Sequence, residues 1–579
     1  LSAIASRAAA RVLDAYPDWV SAHDTLSDRD RVAIEARVAV LAPRPVISLL
    51  LPWTEEGSGA LRTTLASVQQ QFYPDWQLCV ATPPESDAAL AELARFDARI
   101  RWIAAPVSGD VADVLNTLLR EAAGEFVALL WPGDRLARQA LYEIAVALHS
   151  EPSLDLMYSD EDLVDQAGRR FSPKFKVGWD PDLLLAADSV GDLAVWRRSV
   201  VDAAQGFRPG FGCMVGYDLA LRAGSALLPT RIQHVPAVLY HRGADQALPL
   251  HERVLAADLG RRAVREHLGA RAVVEPAPLW PSANRITWPL PDPPLVSIIV
   301  PTRDRAALLQ QCVRSVLDRT DYPAIELLIV DNESREDGTL ATLRELSRDP
   351  RVRILLQPGP FNFAALNNAA VAEARGEVVV LLNNDVMAIG AGWLREMVSH
   401  AVRPEIGAVG AKLLYGDGTI QHGGIVLGAG LSAAHLWRRE DRLDPGYDGM
   451  LAVSRSLLAV TAACLAMRRA VYLEVGGLDA EHLGVAFNDV DLCLRLGDFG
   501  YRIVWTPFAE LFHLESQSRG YTDTPEKHAR EAREIGHVWR DWRHVFADDP
   551  FHNANLWCHW DAPLHPCPPR RERPWRHVA

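Results

Sequence analysis

No apolar run in this 579-residue chain approaches the roughly 20 residues that a helix needs to span a bilayer, and the first residues lack the charged-then-apolar pattern of a secretory signal. A cytoplasmic location is therefore expected. Cysteine is scarce: seven residues, at 79, 213, 312, 464, 493, 558 and 567, are scattered, odd in number and form no Cys-x-x-Cys pair. That pattern supports neither a disulfide framework nor a cysteine zinc site, so reduced and mostly core thiols are expected. Positive charge is also in deficit, with 60 Lys and Arg against 74 Asp and Glu and a net charge of −14. Phosphate neutralisation needs a basic surface, so no nucleic-acid partner is expected. Disorder has no support, because 49% of residues are hydrophobic and 23% charged. The length exceeds what one hydrophobic core organises.

What the chain does have is a repeat. Val46-Ile47-Ser48-Leu49-Leu50-Leu51-Pro52 returns as Leu295-Val296-Ser297-Ile298-Ile299-Val300-Pro301, Ala123-Gly124-Glu125-Phe126-Val127 as Arg375-Gly376-Glu377-Val378-Val379, and Tyr217-Asp218-Leu219-Ala220-Leu221-Arg222 as Val490-Asp491-Leu492-Cys493-Leu494-Arg495. The order is kept over a domain-sized period, which points to two related α/β domains in tandem. In this register Asp331 falls opposite Thr82, Asp385 opposite Gly133 and Asp489 opposite Gly216. Three carboxylates stand in the second copy where the first has none, so the second is expected to do chemistry and the first to be degenerate.

The expected organisation is a helical N-terminal extension (1–45), a degenerate α/β domain (46–275), a linker (276–294) made stiff by Pro289, Pro291, Pro293 and Pro294, a second α/β domain (295–530) and a C-terminal tail (531–579). Apolar strands at 295–300, 326–330 and 378–382, alternating with a helical pattern at 305–318, predict a parallel sheet covered on both faces. Ligands bind beyond the carboxyl ends of such strands. Asp331 and Asp385 stand there.

Six segments of the second copy carry a family resemblance: Val296-Ser297-Ile298-Ile299-Val300-Pro301-Thr302-Arg303-Asp304, Ile329-Val330-Asp331-Asn332-Glu333-Ser334, Leu381-Leu382-Asn383-Asn384-Asp385, Gly476-Gly477-Leu478-Asp479, Phe487-Asn488-Asp489-Val490-Asp491-Leu492 and His513-Leu514-Glu515-Ser516-Gln517-Ser518-Arg519-Gly520. In this order and spacing they resemble family 2 glycosyltransferases of the GT-A fold. The resemblance implies two tandem GT-A domains, Rossmann-like nucleotide-diphospho-sugar transferase units.

It also implies roles. Asn383-Asn384-Asp385 resembles the family's metal-binding Asp-x-Asp site, with Asp385 as the metal-bound carboxylate and Asn383 in place of the first acid; the cation, Mn²⁺ or Mg²⁺, neutralises the departing diphosphate. Asn-Asn-Asp is equally good turn chemistry after a strand. His513 matches a metal-binding His, and the loop with Ser518 and Arg519 one that closes over the diphosphate. Pro301, Thr302, Arg303, Asp304 and Asn384 belong to the nucleotide-sugar segments. Asp331 matches a contact to base and ribose, and is also well placed to cap its own turn. Asp489 lies in the general-base segment, since attack by an acceptor hydroxyl calls for a carboxylate within hydrogen-bond reach. Asp491 supports that site, binds acceptor or caps the following helix. Between donor and base motifs, 410–437 is where acceptor contacts are expected.

The first copy keeps Tyr158-Ser159-Asp160-Glu161-Asp162 and places His241 opposite His513, while Asp134 retains one acid a residue out of register. The tail combines Trp539, Trp542, Trp557, Trp560 and Trp575 with Arg570-Arg571-Glu572-Arg573. Such a tail contacts an anionic membrane surface or packs across its own protein, and the second is favoured.

The function the resemblance implies is inverting, metal-dependent transfer from a nucleoside diphosphate sugar (dTDP-rhamnose, a UDP- or a GDP-hexose) to a saccharide or lipid-linked glycan at the inner membrane face, in bacterial surface polysaccharide synthesis such as O-antigen assembly. One alternative is a non-catalytic glycan-binding scaffold, against which Asp331, Asp385, Asp489 and His513 count. A nucleotidyltransferase is disfavoured because 301–305 lacks the glycine-rich triphosphate loop.

Overall fold

Hydrogen-bonded pairing sorts the strands into two large sheets with the same order. The computed structural model describes residues 6–52, 58–82, 97–105, 109–244, 250–429, 432–514, 524–557 and 564–576. The first sheet runs Ile100–Ala104, Trp76–Thr82, Ile47–Leu51, Phe126–Leu129, Ala194–Arg197, Leu156–Val164, Ile232–Gly243, Arg135–Leu136. The second runs Val352–Leu356, Ile325–Asp331, Val296–Thr302, Val378–Leu382, Cys464–Arg468, Ile406–Leu414, Arg502–His513, Val386–Ala388. Strand for strand these are one topology used twice.

The sheets are mixed rather than wholly parallel. In the second, the first four strands are parallel, Cys464–Arg468 runs against both its neighbours, and Ile406–Leu414 and Arg502–His513 are again parallel to each other. A fully buried strand reads as the same apolar run in either direction, so sequence pattern does not report its orientation. Val296–Thr302, Ile325–Asp331, Val378–Leu382 and Ile406–Leu414 are buried at every residue.

Both copies also repeat a polar clamp at the sheet's lower edge. Ser48 Oγ donates to Gln77 Oε1 (2.8 Å) and accepts the Gly124 N–H (2.9 Å), as Ser297 Oγ does with Glu326 Oε1 (2.6 Å) and Gly376 (2.8 Å). A Cβ on either glycine would lie 2.6 Å from backbone, on Val46 O or Ser297 N. Glycine is therefore a steric requirement at both positions.

The helix Arg7–His23 buries Ala8, Val12, Tyr16 and Trp19, a stripe at helical spacing, in a core shared with Phe175 of the first unit and Tyr447 and Met450 of the second. Polar contacts tie the units together: Tyr447 OH donates to Pro173 O (2.8 Å), Ser456 Oγ to Asp180 (2.7 Å), and Arg403 Nη1 to Asp182 (2.6 Å).

Residues 276–294 do not form a free linker throughout. Asn284–Thr287 pairs back on Val273–Pro276, and Val274 and Ile286 are buried in the first unit's core. The tail packs across the protein: Asn553 Nδ2 donates to Asp160 Oδ2 (2.9 Å), Trp575 Nε1 to Asp30 Oδ1 (2.7 Å) and Arg571 to Glu143 (2.7 Å). Trp542 and Trp575 are buried, Trp539 and Trp557 are exposed, and Trp560 lies outside the described residues. Among the described residues no helix is long and apolar enough to cross a membrane, and of the described cysteines only Cys213 is exposed.

Candidate active site

Beyond the carboxyl ends of Val296–Thr302 and Val378–Leu382 the second unit opens a cleft of about 830 Å³. Pro301, Thr302, Arg303, Asp304, Asn383, Asn384, Asp385, Asp489 and His513 all line it. Asp331 and Asp491 are not among its lining residues. Ser518 and Arg519 lie outside the described residues.

At the strand ends, Asn384 is buried and its Nδ2 donates to Thr302 Oγ1 at 3.0 Å, joining the two strands. The chain turns at once into Val386–Ala388, whose pairing sets Val386 opposite His513. That register brings His513 Nε2 to 3.4 Å from Asp385 Oδ1, with both residues nearly buried at 7% and 3% exposure. His513 Nδ1 is buried with no hydrogen-bond partner among the described residues.

Asp304 and Arg305 both adopt left-handed backbone, at φ 54° and 62°, a conformation that costs about 1–2 kcal/mol for such residues. The turn is held because Asp304 Oδ1 accepts the N–H groups of Glu336 (2.9 Å) and Arg335 (2.7 Å) while its own N–H donates to Ser334 Oγ (2.8 Å). Those two backbone donors hold the Asp304 carboxyl below its ordinary range. Asp331 lies beneath this turn, buried, with Oδ1 accepting the Ser334 N–H at 3.0 Å. The turn-capping reading of Asp331 is the one this geometry displays.

Across the cleft, Phe487 caps the helix Asn488–Asp498 in a left-handed conformation, and Asp489 sits in its first turn. Asp489 Oδ2 accepts the Ala462 N–H at 3.0 Å and Oδ1 the Val490 N–H at 2.9 Å. Burial raises its pKa, outweighing the opposing hydrogen bonds from Ala462, Val490 and the Thr461 hydroxyl. Asp489 still lines the cleft.

Asp491 points the other way. Its Oδ2 takes Arg495 Nε at 2.8 Å and its Oδ1 the Trp542 Nε1–H at 3.1 Å, while Arg495 reaches back to the Val475 and Gly477 carbonyls. The first copy builds the same device from Asp218, Arg222 and the Ala204 and Gly206 carbonyls. A contact kept in both copies fastens the helix to the preceding turn, which is the structural one among the roles expected for Asp491.

The structure also corrects the register of the repeat at Asp385. Arg135 pairs with His241 as Val386 pairs with His513, so the residue before each, Asp134 and Asp385, occupies the same station. The first copy has one more residue in the turn, which displaced the alignment to Gly133. Asp134 is nonetheless closed off: Tyr240 OH donates to its Oδ2 at 2.6 Å and the Gly243 N–H to its Oδ1 at 2.9 Å. Burial, reinforced by Asp192, pushes its pKa up to about 7. His241 is engaged by Asp162 Oδ1 at 2.6 Å. The counterparts of Asp385 and His513 persist in the first copy, each committed elsewhere.

Sequence reasoning missed the contribution of the helix Pro525–Ala547, which crosses the boundary expected at 530. Lys527 and Arg530 line the cleft, and Arg530 Nε is buried without a hydrogen-bond partner among the described residues. Glu534, buried, accepts the Val485 N–H at 3.1 Å and the Ala486 N–H at 3.0 Å, gripping the segment that leads to Asp489. The signal was present: 527, 530, 534, 538, 542 and 546 form one helical stripe. His435 also lines the cleft, and its Nδ1 meets His422 Nδ1 at 2.8 Å. Burial pushes both imidazoles down, His435 to about 3.

Residues 297–476 match the family model described as glycosyl transferase family 2. An uncharacterized protein of Sinorhizobium fredii is 40% identical over 545 residues, 91% of this chain and 60% of that protein. The O-antigen biosynthesis protein RfbC of Myxococcus xanthus is 39% identical over 523 residues, 88% of this chain and 40% of that protein. An N-acetylglucosaminyl-diphospho-decaprenol L-rhamnosyltransferase of Mycobacterium tuberculosis is 26% identical over 253 residues, 39% of this chain and 78% of that protein. The chain spans about half the length of the two relatives that match nearly all of it.

Proposed function

Because the second unit of this chain belongs to glycosyl transferase family 2, we propose that it transfers a sugar from a nucleoside diphosphate donor to a saccharide acceptor with inversion, using a divalent cation. The observation that carries the proposal is the opening of Asp385, His513 and Asp489 into one cleft. The pair on the donor side fits a cation. The 3.4 Å between Asp385 Oδ1 and His513 Nε2 is near the ~3 Å edge of an octahedron with ~2.1 Å bonds, and carboxylate plus imidazole suits Mn²⁺. Such an ion supplies Lewis-acid neutralisation of the diphosphate.

The chain's own residues do the rest. Thr302, Arg303, Asp304 and Asn384 shape the donor side, with Lys527 and Arg530 adding cationic groups that favour a diphosphate. Asp489, with its raised pKa, accepts the proton of the acceptor hydroxyl as that oxygen attacks the anomeric carbon, and the two backbone N–H groups keep the carboxylate aimed. The acceptor we propose is a glycan of a bacterial surface polysaccharide, free or lipid-linked, supported by the likeness to a relative named for O-antigen biosynthesis. The first unit serves as a non-catalytic support, consistent with the closure of Asp134 by Tyr240 and Gly243.

A thermal-shift screen of nucleoside diphosphates and sugar nucleotides, with and without Mn²⁺, tests this reading. Stabilisation by a donor that requires the cation is expected, as is loss of transfer in chelator with recovery on adding Mn²⁺ or Mg²⁺. Asp385→Ala should lose both cation and donor binding. Full transfer in chelator overturns the cation's role.

A further inference from the structure

A second cluster of metal-ligating side chains lies outside the donor cleft. Asp479 and His482, three residues apart in the loop after Gly476-Gly477, face His537 and Asp541, which are four apart and therefore on one side of the helix Pro525–Ala547. Asp479 is fixed by its own loop, because its Oδ1 accepts the N–H groups of Glu481 and His482, each at 3.0 Å. Its Oδ2 is left facing two imidazoles, 3.0 Å from His482 Nδ1 and 3.5 Å from His537 Nε2. His537 Nε2 is in turn 3.5 Å from Asp541 Oδ2. The imidazole rings lie 4.4 Å apart and nearly parallel, and the ligand atoms of Asp479, His482 and His537 all fall within 4.8 Å of one another.

From this geometry we propose that Asp479, His482 and His537 form a binding site for a transition-metal cation of the Zn²⁺ class, with Asp541 beside His537. Within that group Asp479 Oδ2 stands 3.0 and 3.5 Å from the two imidazole nitrogens, close to the ~3.3 Å edges of a tetrahedron with ~2.0 Å bonds. Two neutral imidazoles and a carboxylate are ligands that Zn²⁺, Co²⁺ and Ni²⁺ accept, and Mg²⁺ favours far less. Arg495, the cation nearest the adjoining cavity of about 340 Å³, is committed to Asp491. His482 is half exposed and closes on the ion by side-chain rotation. The site joins the loop that leads into the Asp489 segment to the helix that carries Lys527, Arg530 and Glu534. A bound ion would staple two sides of the donor cleft together from outside it.

The test uses the untagged full chain carrying Asp385→Ala, so that the donor-side pair is disabled and the outcome does not depend on the proposed transfer activity. Titration with Zn²⁺ should show one bound ion per chain and a raised unfolding midpoint. Co²⁺ should give the visible absorption of a low-coordinate His/carboxylate site. Adding His537→Ala or His482→Ala should abolish the binding, the shift and the spectrum while circular dichroism shows the fold intact. Asp541→Ala, a change at a half-exposed helix position, should weaken binding and guards against a misfolded His537 variant. Failure of the Asp385→Ala chain to bind Zn²⁺, or unchanged binding in the histidine variants, overturns the proposal.

Discussion

Replacing Asp489 by Asn separates two effects whose sizes the structure sets. The carboxylate accepts two backbone N–H groups on two different oxygens, from Ala462 at 3.0 Å and Val490 at 2.9 Å. An amide has one acceptor oxygen, so one of those donors must face an NH₂ group. Leaving a buried donor unsatisfied costs about 1–3 kcal/mol, against a typical domain stability of about 5–15 kcal/mol. The variant should fold, with a lowered unfolding midpoint. Loss of a general base slows turnover by about 10²–10⁴-fold, about 2.7–5.4 kcal/mol in the barrier. Donor affinity, set by residues on other elements, should stay near wild type by titration calorimetry while turnover at saturating donor collapses. Because burial raises the Asp489 pKa and the ionised form is the base, the wild-type kcat/KM profile should fall on its acid side at a pH above the ordinary carboxylate range. Near-normal turnover in Asp489→Asn would refute the assignment, and an acid limb at or below that range would refute the electrostatic argument.

Glu534→Ala removes the acceptor of two backbone N–H groups in the 485–486 segment; kcat should fall by roughly one to two orders of magnitude with donor KM little changed and partial recovery in Glu534→Gln, and an unchanged kcat would show that the segment aims Asp489 without it. Titration with nucleoside diphosphate and Mn²⁺ should give one site per chain, and Asp134→Ala should leave donor affinity unchanged because Tyr240 and Gly243 already occupy that carboxyl; two equivalent sites would make the first unit a working transferase.

Much of the architecture was written in local pattern. The repeated apolar strands, the glycines at 124 and 376 and the loss of acids opposite Asp331 and Asp489 are properties of short segments, each read within a few residues of its neighbours. Local pattern also placed Asp385 and His513 at strand ends, because period and punctuation report where an element stops. Three features depended on contacts between distant residues. The extra residue before Asp134 shows only when Arg135 is seen opposite His241 and Val386 opposite His513, since strand pairing defines the register and a gapless alignment does not. The antiparallel course of Cys464–Arg468 is invisible in a buried apolar run. The helix Pro525–Ala547 displays its stripe in sequence, but that the helix lines the cleft with Lys527 and Arg530, grips the Asp489 segment through Glu534 and brings His537 to Asp479 follows from packing. Short segments specify the elements and the chemical types at their ends; packing brings those groups into one cleft, because burial and hydrogen-bond geometry act between residues from tens to more than a hundred positions apart.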